Sequence, residues 1–153
     1  MKVCIGGTFD ILHKGHKELI IKAIKTVGKN GKLFIGIADG ELIKSKKNVK
    51  LFEERKKILE DFLSQKKLDI FVEIKPIIDK YGPTLTQDFD IIVVSLETKP
   101  VADEINIKRE HLGKKPLKII VIPFVLSDDG IPISSSRIRN KEIDENGHVL
   151  KRD

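Results

Sequence analysis

Tryptophan is absent, tyrosine occurs once, and aromatic residues make up only 5% of the 153-residue chain. Modules that hold single-stranded nucleic acid stack bases on aromatic platforms, so this scarcity argues against a nucleic-acid partner. Cysteine also occurs once, as Cys4. An internal disulfide is excluded, and Cys4, set in an apolar run, reads as a small buried hydrophobe rather than a catalytic thiol. No apolar run approaches the ~20 residues of a membrane span. A glycine pair interrupts the first seven residues before any signal-like stretch develops. These absences point to a soluble, cytoplasmic protein without a membrane partner.

What is present is charge. Charged residues reach 34% and hydrophobic residues 40%, enough for one core. The 24 lysines and 5 arginines outnumber the acidic residues and leave a net charge of +6. The lysines are spread along the chain, as on a solvated surface, although a basic balance also suits phosphate-rich ligands. The length fits a single domain over residues 1–153, as a monomer or a small homo-oligomer, with a polar tail from about 140 expected to be loose.

Short apolar runs alternate with helical patterns. Strands are expected at Lys2–Ile5, Lys32–Ala38, Asp69–Ile74, Asp90–Ser95 and Leu117–Phe124. Helices are expected at Lys14–Val27, Glu53–Gln65, Pro100–Leu112 and, in short form, Ser134–Lys141. The order predicts an α/β fold of Rossmann-like, doubly wound type: five parallel strands with helices on both faces. Ligands in such folds sit beyond the carboxyl ends of the strands.

The sharpest motif lies at that position. It runs Gly6-Gly7-Thr8-Phe9-Asp10-Ile11-Leu12-His13-Lys14-Gly15-His16. The glycines let backbone approach a ligand, and the following helix N-terminus offers unpaired N–H groups to an anion. His13 and His16, three residues apart, share one helical face. Together they make a cradle for a polyphosphate. It is not a Walker A loop, since no Gly-Lys-Ser/Thr follows. A zinc site would need more ligands than His111, His148 and the distant Cys4 supply, so no metal held by protein ligands is expected. Near the other end, Ile133-Ser134-Ser135-Ser136-Arg137-Ile138-Arg139 provides a capped helix start, hydroxyls and two guanidinium groups for the same kind of anion.

The glycine–histidine motif resembles the GTFDxxHxGH signature of the cytidylyltransferase-like nucleotidyltransferase superfamily, and the serine–arginine motif is similar to its ISSTxxR signature. Three middle segments resemble the archaeal and eukaryotic type of phosphopantetheine adenylyltransferase. They are Asp39–Lys47 with Glu53-Glu54-Arg55, Tyr81-Gly82-Pro83-Thr84, and Val93–Thr98 with Asn106 and Arg109. One departure from the bacterial enzymes of that activity stands out: their Arg-Gly-x-Arg stretch is here Ser95-Leu96-Glu97-Thr98.

The resemblance implies an enzyme that moves AMP from ATP onto 4′-phosphopantetheine, with Mg²⁺ carried on the ATP phosphates. It implies nucleotide binding by Gly6, Gly7, Thr8, Phe9, His13, His16, Ser134, Ser135, Ser136 and Arg137. Catalysis is expected from His16, Thr8 and Lys44, and acceptor binding from Thr8, Lys44, Lys46 and Arg109, with Arg109 standing in for the missing arginines. A phosphate monoester is already anionic at neutral pH, so positioning and charge stabilisation suffice without a general base. Sister activities on flavin mononucleotide, nicotinamide mononucleotide or glycerol phosphate share the same motif pair.

Overall fold

The computed structural model describes residues 1–150. Five strands form one all-parallel sheet: β1 (Lys2–Gly7), β2 (Lys32–Ala38), β3 (Phe71–Ile77), β4 (Ile91–Ser95) and β5 (Lys118–Ile122), in the order β3-β2-β1-β4-β5. The helices are α1 (Lys14–Val27), α2 (Phe52–Ser64), α3 (Lys99–His111) and the short α4 (Ser135–Arg139). From β1 the chain steps outward through β2 to β3, then returns to lay β4 and β5 on the other side. Right-handed crossovers in opposite directions put α1 and α2 on one face and α3 on the other.

Both faces are therefore buried, and alternate residues of one strand serve different cores. Val3, Ile5, Leu33, Ile35 and Val93 pack with Leu19, Ile20 and Ala23 of α1 and Leu59 of α2. Cys4, Phe34, Ile92 and Val94 pack with Ala102 and Ile105 of α3. The reversal of strand order falls between β1 and β4, which pair at Val3–Ile91 and Cys4–Ile92, so their carboxyl ends, Gly7 and Ser95, flank a switch point.

Most elements match the sequence reading within two residues. β3 is the exception, starting at Phe71 and running to Ile77 through Pro76. It pairs only with β2, and an edge strand tolerates a proline on its unpaired side. β5 starts one residue later than expected, where Asn106 takes both backbone groups of Leu117 at 2.8 Å, and stops at Ile122, before Pro123, which has no N–H to pair. Beyond Asn140 the chain makes specific contacts as far as Leu150, whose N–H donates to the Glu142 carbonyl at 3.0 Å. Ile143 is fully buried and bridges Val149, and the Lys14 N–H donates to the Glu145 carbonyl at 2.9 Å. Residues 151–153 of the expected tail lie outside the described residues.

Candidate active site

The turn after β1 is held by unusual backbone. Phe9 is buried in the left-handed region at φ 48°. A Cβ on Gly7 would lie 3.1 Å from its ring, so glycine there lets Phe9 tuck under the loop. His13 is the N-cap of α1, and its Nδ1 accepts from the N–H of Gly15 at 3.0 Å and of His16 at 3.3 Å. His16 returns the contact, Nδ1 accepting from the His13 N–H at 3.4 Å. The motif is thus a capping box built from imidazoles. The two rings stack at 3.7 Å. A Cβ on Gly15 would come within 2.8 Å of the His13 ring, so Gly15 is what allows the cap.

This geometry fixes protonation. Burial pushes His13 down to about 4, and burial followed by the neighbouring His13 pushes His16 down to about 3. Both rings are neutral near pH 7. With Nδ1 occupied as an acceptor, hydrogen-bond logic puts each remaining proton on Nε2.

The rings line an open cavity of about 800 Å³, together with Gly6, Thr8, Lys46, the three serines of the serine–arginine motif, and Arg139. A smaller, mostly apolar cavity of about 210 Å³ lies between the end of β2 and α3, walled by Phe34, Leu42, Ile77, Tyr81, Val101 and Ile105. The two share Gly6, Gly7, Thr8, Lys46 and Thr98. At that junction the Lys46 ammonium donates to the Thr8 hydroxyl at 2.7 Å. The site therefore offers neutral and cationic donors in one chamber, an apolar slot beside it, and a lysine where they meet. Among the described residues no group of three or more His, Cys, Asp or Glu side chains could hold a metal ion.

The cytidylyltransferase-like family model matches residues 4–141. A phosphopantetheine adenylyltransferase of Methanosarcina mazei is 43% identical over 98% of this chain and 97% of its own. One from Methanopyrus kandleri is 47% identical over 94% of this chain and 91% of its own. The chain belongs to the cytidylyltransferase-like family, in its phosphopantetheine adenylyltransferase branch. A crystal structure of an Archaeoglobus fulgidus protein of unknown function is 39% identical with a TM-score of 0.71, over 80% of this chain and 89% of that one.

Three of the residues expected in this cytidylyltransferase-like site face elsewhere. Lys44 is highly exposed and sits 3.9 Å from Glu41, lining neither cavity, whereas Lys46 lines both. Arg137 is held by Asp129, by the Ser127 hydroxyl at 2.7 Å and by the carbonyls of Ile131 and Pro132 at 3.3 Å. That grip ties α4 to the preceding loop; the arginine of the motif that lines the cavity is Arg139. Arg109 is buried, with Nε donating to the Lys115 carbonyl at 2.8 Å and Nη1 to those of Thr84 at 2.6 Å and Gln87 at 3.2 Å. It braces the wall behind the apolar slot through Thr84 and lines neither cavity.

Ser134 caps α4 through the Arg137 N–H at 3.2 Å and lines the cavity with Ser135 and Ser136. Cys4 lies on the wall of the apolar slot, its thiol pushed up to about 12 by burial and so protonated, which suits packing. Sequence reasoning missed Asp10, whose carboxylate pairs with Arg139 although the two belong to the two signature motifs. It also missed Thr98, because an exposed threonine carries no signal of its own.

Proposed function

We propose that the protein transfers AMP from ATP to 4′-phosphopantetheine, giving dephospho-coenzyme A and pyrophosphate. The observation that carries this reading is the meeting of a donor-rich cavity and an apolar slot at Thr8 and Lys46. ATP fits the larger chamber; the slot takes a long arm of low charge whose phosphate ends at the junction. Flavin and nicotinamide mononucleotides would bring a bulky ring, and glycerol phosphate would leave the slot empty.

An oxygen of the acceptor phosphate attacks the α-phosphorus. The new O–P bond forms as the bond to the β-phosphate oxygen breaks, and pyrophosphate leaves as an anion. The acceptor phosphate has its second pKa near 6, so no residue needs to remove a proton. The protein's part is alignment and charge stabilisation. In this reading the Nε2–H groups of His13 and His16 donate to the triphosphate, with His16 nearest the developing charge. Thr8 and Lys46, the latter in place of Lys44, bridge the transferring and accepting phosphates. Ser134–Ser136 and Arg139 hold the far phosphates and ribose, and Gly6, Gly7 and Phe9 shape the floor.

The donors fit phosphate oxygens rather than a bare metal, so Mg²⁺ belongs to the ATP itself, where it neutralises phosphate charge. Among the described residues no helix is long and apolar enough to cross a membrane; the cytoplasm, where both substrates of this reaction are met, is the location that goes with this reading. Pyrophosphate release tests the reading: ATP with 4′-phosphopantetheine should outpace CTP or any sister acceptor by kcat/KM. A preference for another acceptor would move the protein to that sister activity.

A further inference from the structure

The loop that carries Lys46 has little burial to fix it, since residues 44–48 are all exposed. Its anchor is Lys50, whose two backbone groups are each taken by a buried charge. The Lys50 N–H donates to Asp10 Oδ1 at 2.8 Å, and the Lys50 carbonyl accepts from Arg55 Nε at 2.8 Å. Asp10 is 3% exposed and Arg55 is fully buried.

Each of these charges also grips the site from another side. The other oxygen of Asp10 is paired with Arg139 of α4. Arg55 Nη1 donates to the Thr8 carbonyl at 3.0 Å and to the Ala38 carbonyl at 2.6 Å, and Nη2 faces Asp39 at 3.6 Å. A continuous chain thus runs from Arg139 through Asp10, Lys50 and Arg55 to Thr8, the residue whose hydroxyl receives Lys46.

We infer that Asp10 and Arg55 are positioning residues of the transfer reaction, which clamp Lys50 so that the Lys46 ammonium is held over Thr8 at the junction of the two cavities. The inference rests on the adenylyl-transfer reading proposed above. Arg55 lines neither cavity, and Asp10 borders the larger one with its two oxygens taken by the Lys50 N–H and by Arg139, so both act by holding other groups in place. A guanidinium suits position 55 because its donors are spread over a rigid fork, Nε reaching Lys50 while Nη1 reaches Thr8 and Ala38, whereas an ammonium gathers its donors on one nitrogen. Burial alone would raise the Asp10 carboxyl, but the Lys50 N–H and Arg139 outweigh it and hold it below the usual carboxylate range, so the clamp stays charged near neutral pH.

The test is a double-mutant cycle read together with amide exchange. Asp10→Asn should lower kcat by about 100-fold, the order of loss that a small misplacement of a reacting group brings, while KM for 4′-phosphopantetheine moves much less. In a Lys46→Ala background the same change should cost only a few-fold, because the group it positions is gone. Full additivity of the two losses would overturn the inference. Independently of activity, amide exchange at residues 46–50 should quicken in Asp10→Asn relative to wild type; unchanged exchange would overturn it too. Arg55→Lys should give the same exchange signature, and if it does not fold, Asp10→Asn alone decides. A wild type that releases no pyrophosphate would sink the adenylyl-transfer reading, while the exchange arm would still decide the clamp.

Discussion

His16 illustrates how one side chain carries structure and chemistry at once. Its Nδ1 helps close the capping box, and its proton is left on the other nitrogen. His16→Ala should lower turnover by at least ~100-fold, as removal of a donor aimed at developing charge does. The weak cap contact should cost only about 0.5–1 kcal/mol of stability. Turnover near wild type in a folded variant would reject the assignment. The histidines also set a pH dependence. Their pKa values fall from ~6.5 in the unfolded chain to about 4 and about 3 in the fold. Between those limits the unfolded state binds more protons, so their contribution is complete above pH ~6.5 and fades as pH drops toward 4 and 3. Urea midpoints at several pH values should show that decline, and it should be shallower in His16→Ala. An unchanged slope in the variant would contradict the buried, neutral state. For the lysines, Lys46→Ala should lose most activity, whereas Lys44→Ala should shift kcat/KM by less than ~0.5 kcal/mol, as for an exposed pair. Equal effects in the same assay would contradict the geometry. Sequence alone does not separate the two, because both are lysines in one exposed loop. Their difference comes from the loop's path, set by Asp10 from the turn after β1 and by Arg55 from the first turn of α2.

Among the elements, α1 and β2 were legible to the residue because each has strong periodicity and a clear punctuation at both ends. The limits of β3 were not, since Pro76 reads as a breaker until its edge position is known. The serine–arginine motif was legible as a helix start, but which arginine faces the ligand depends on Asp129 and Ser127 in the preceding loop. Arg109 was misread for a related reason. Its place on α3 is visible in the sequence, but the carbonyls it satisfies lie in segments 84–87 and at Lys115. Arg109→Ala should therefore act on the element rather than the ligand. Leaving buried carbonyls unpaired costs about 1–3 kcal/mol each, so denaturant unfolding should reveal a loss of about 3 kcal/mol or more. A variant of wild-type stability with a raised KM for the acceptor phosphate would restore the ligand role.

In the whole molecule, reversal of strand order between β1 and β4 opens one cavity lined with hydrogen-bond donors and one mostly apolar cavity, which share Thr8 and Lys46. The fold and the motif pair were legible because they rest on local pattern. The apolar slot was not, because its walls come from β2, the segment after β3, and α3, which meet only in the folded sheet. The slot predicts an acceptor with a phosphate at one end and an uncharged arm behind it. Pyrophosphate release from ATP, measured side by side with 4′-phosphopantetheine and with pantetheine lacking the phosphate, tests this most directly. Rapid release with the phosphorylated acceptor and none with pantetheine is the predicted result, since the phosphate is the nucleophile. No release with 4′-phosphopantetheine, or faster release with glycerol phosphate or flavin mononucleotide, would contradict it.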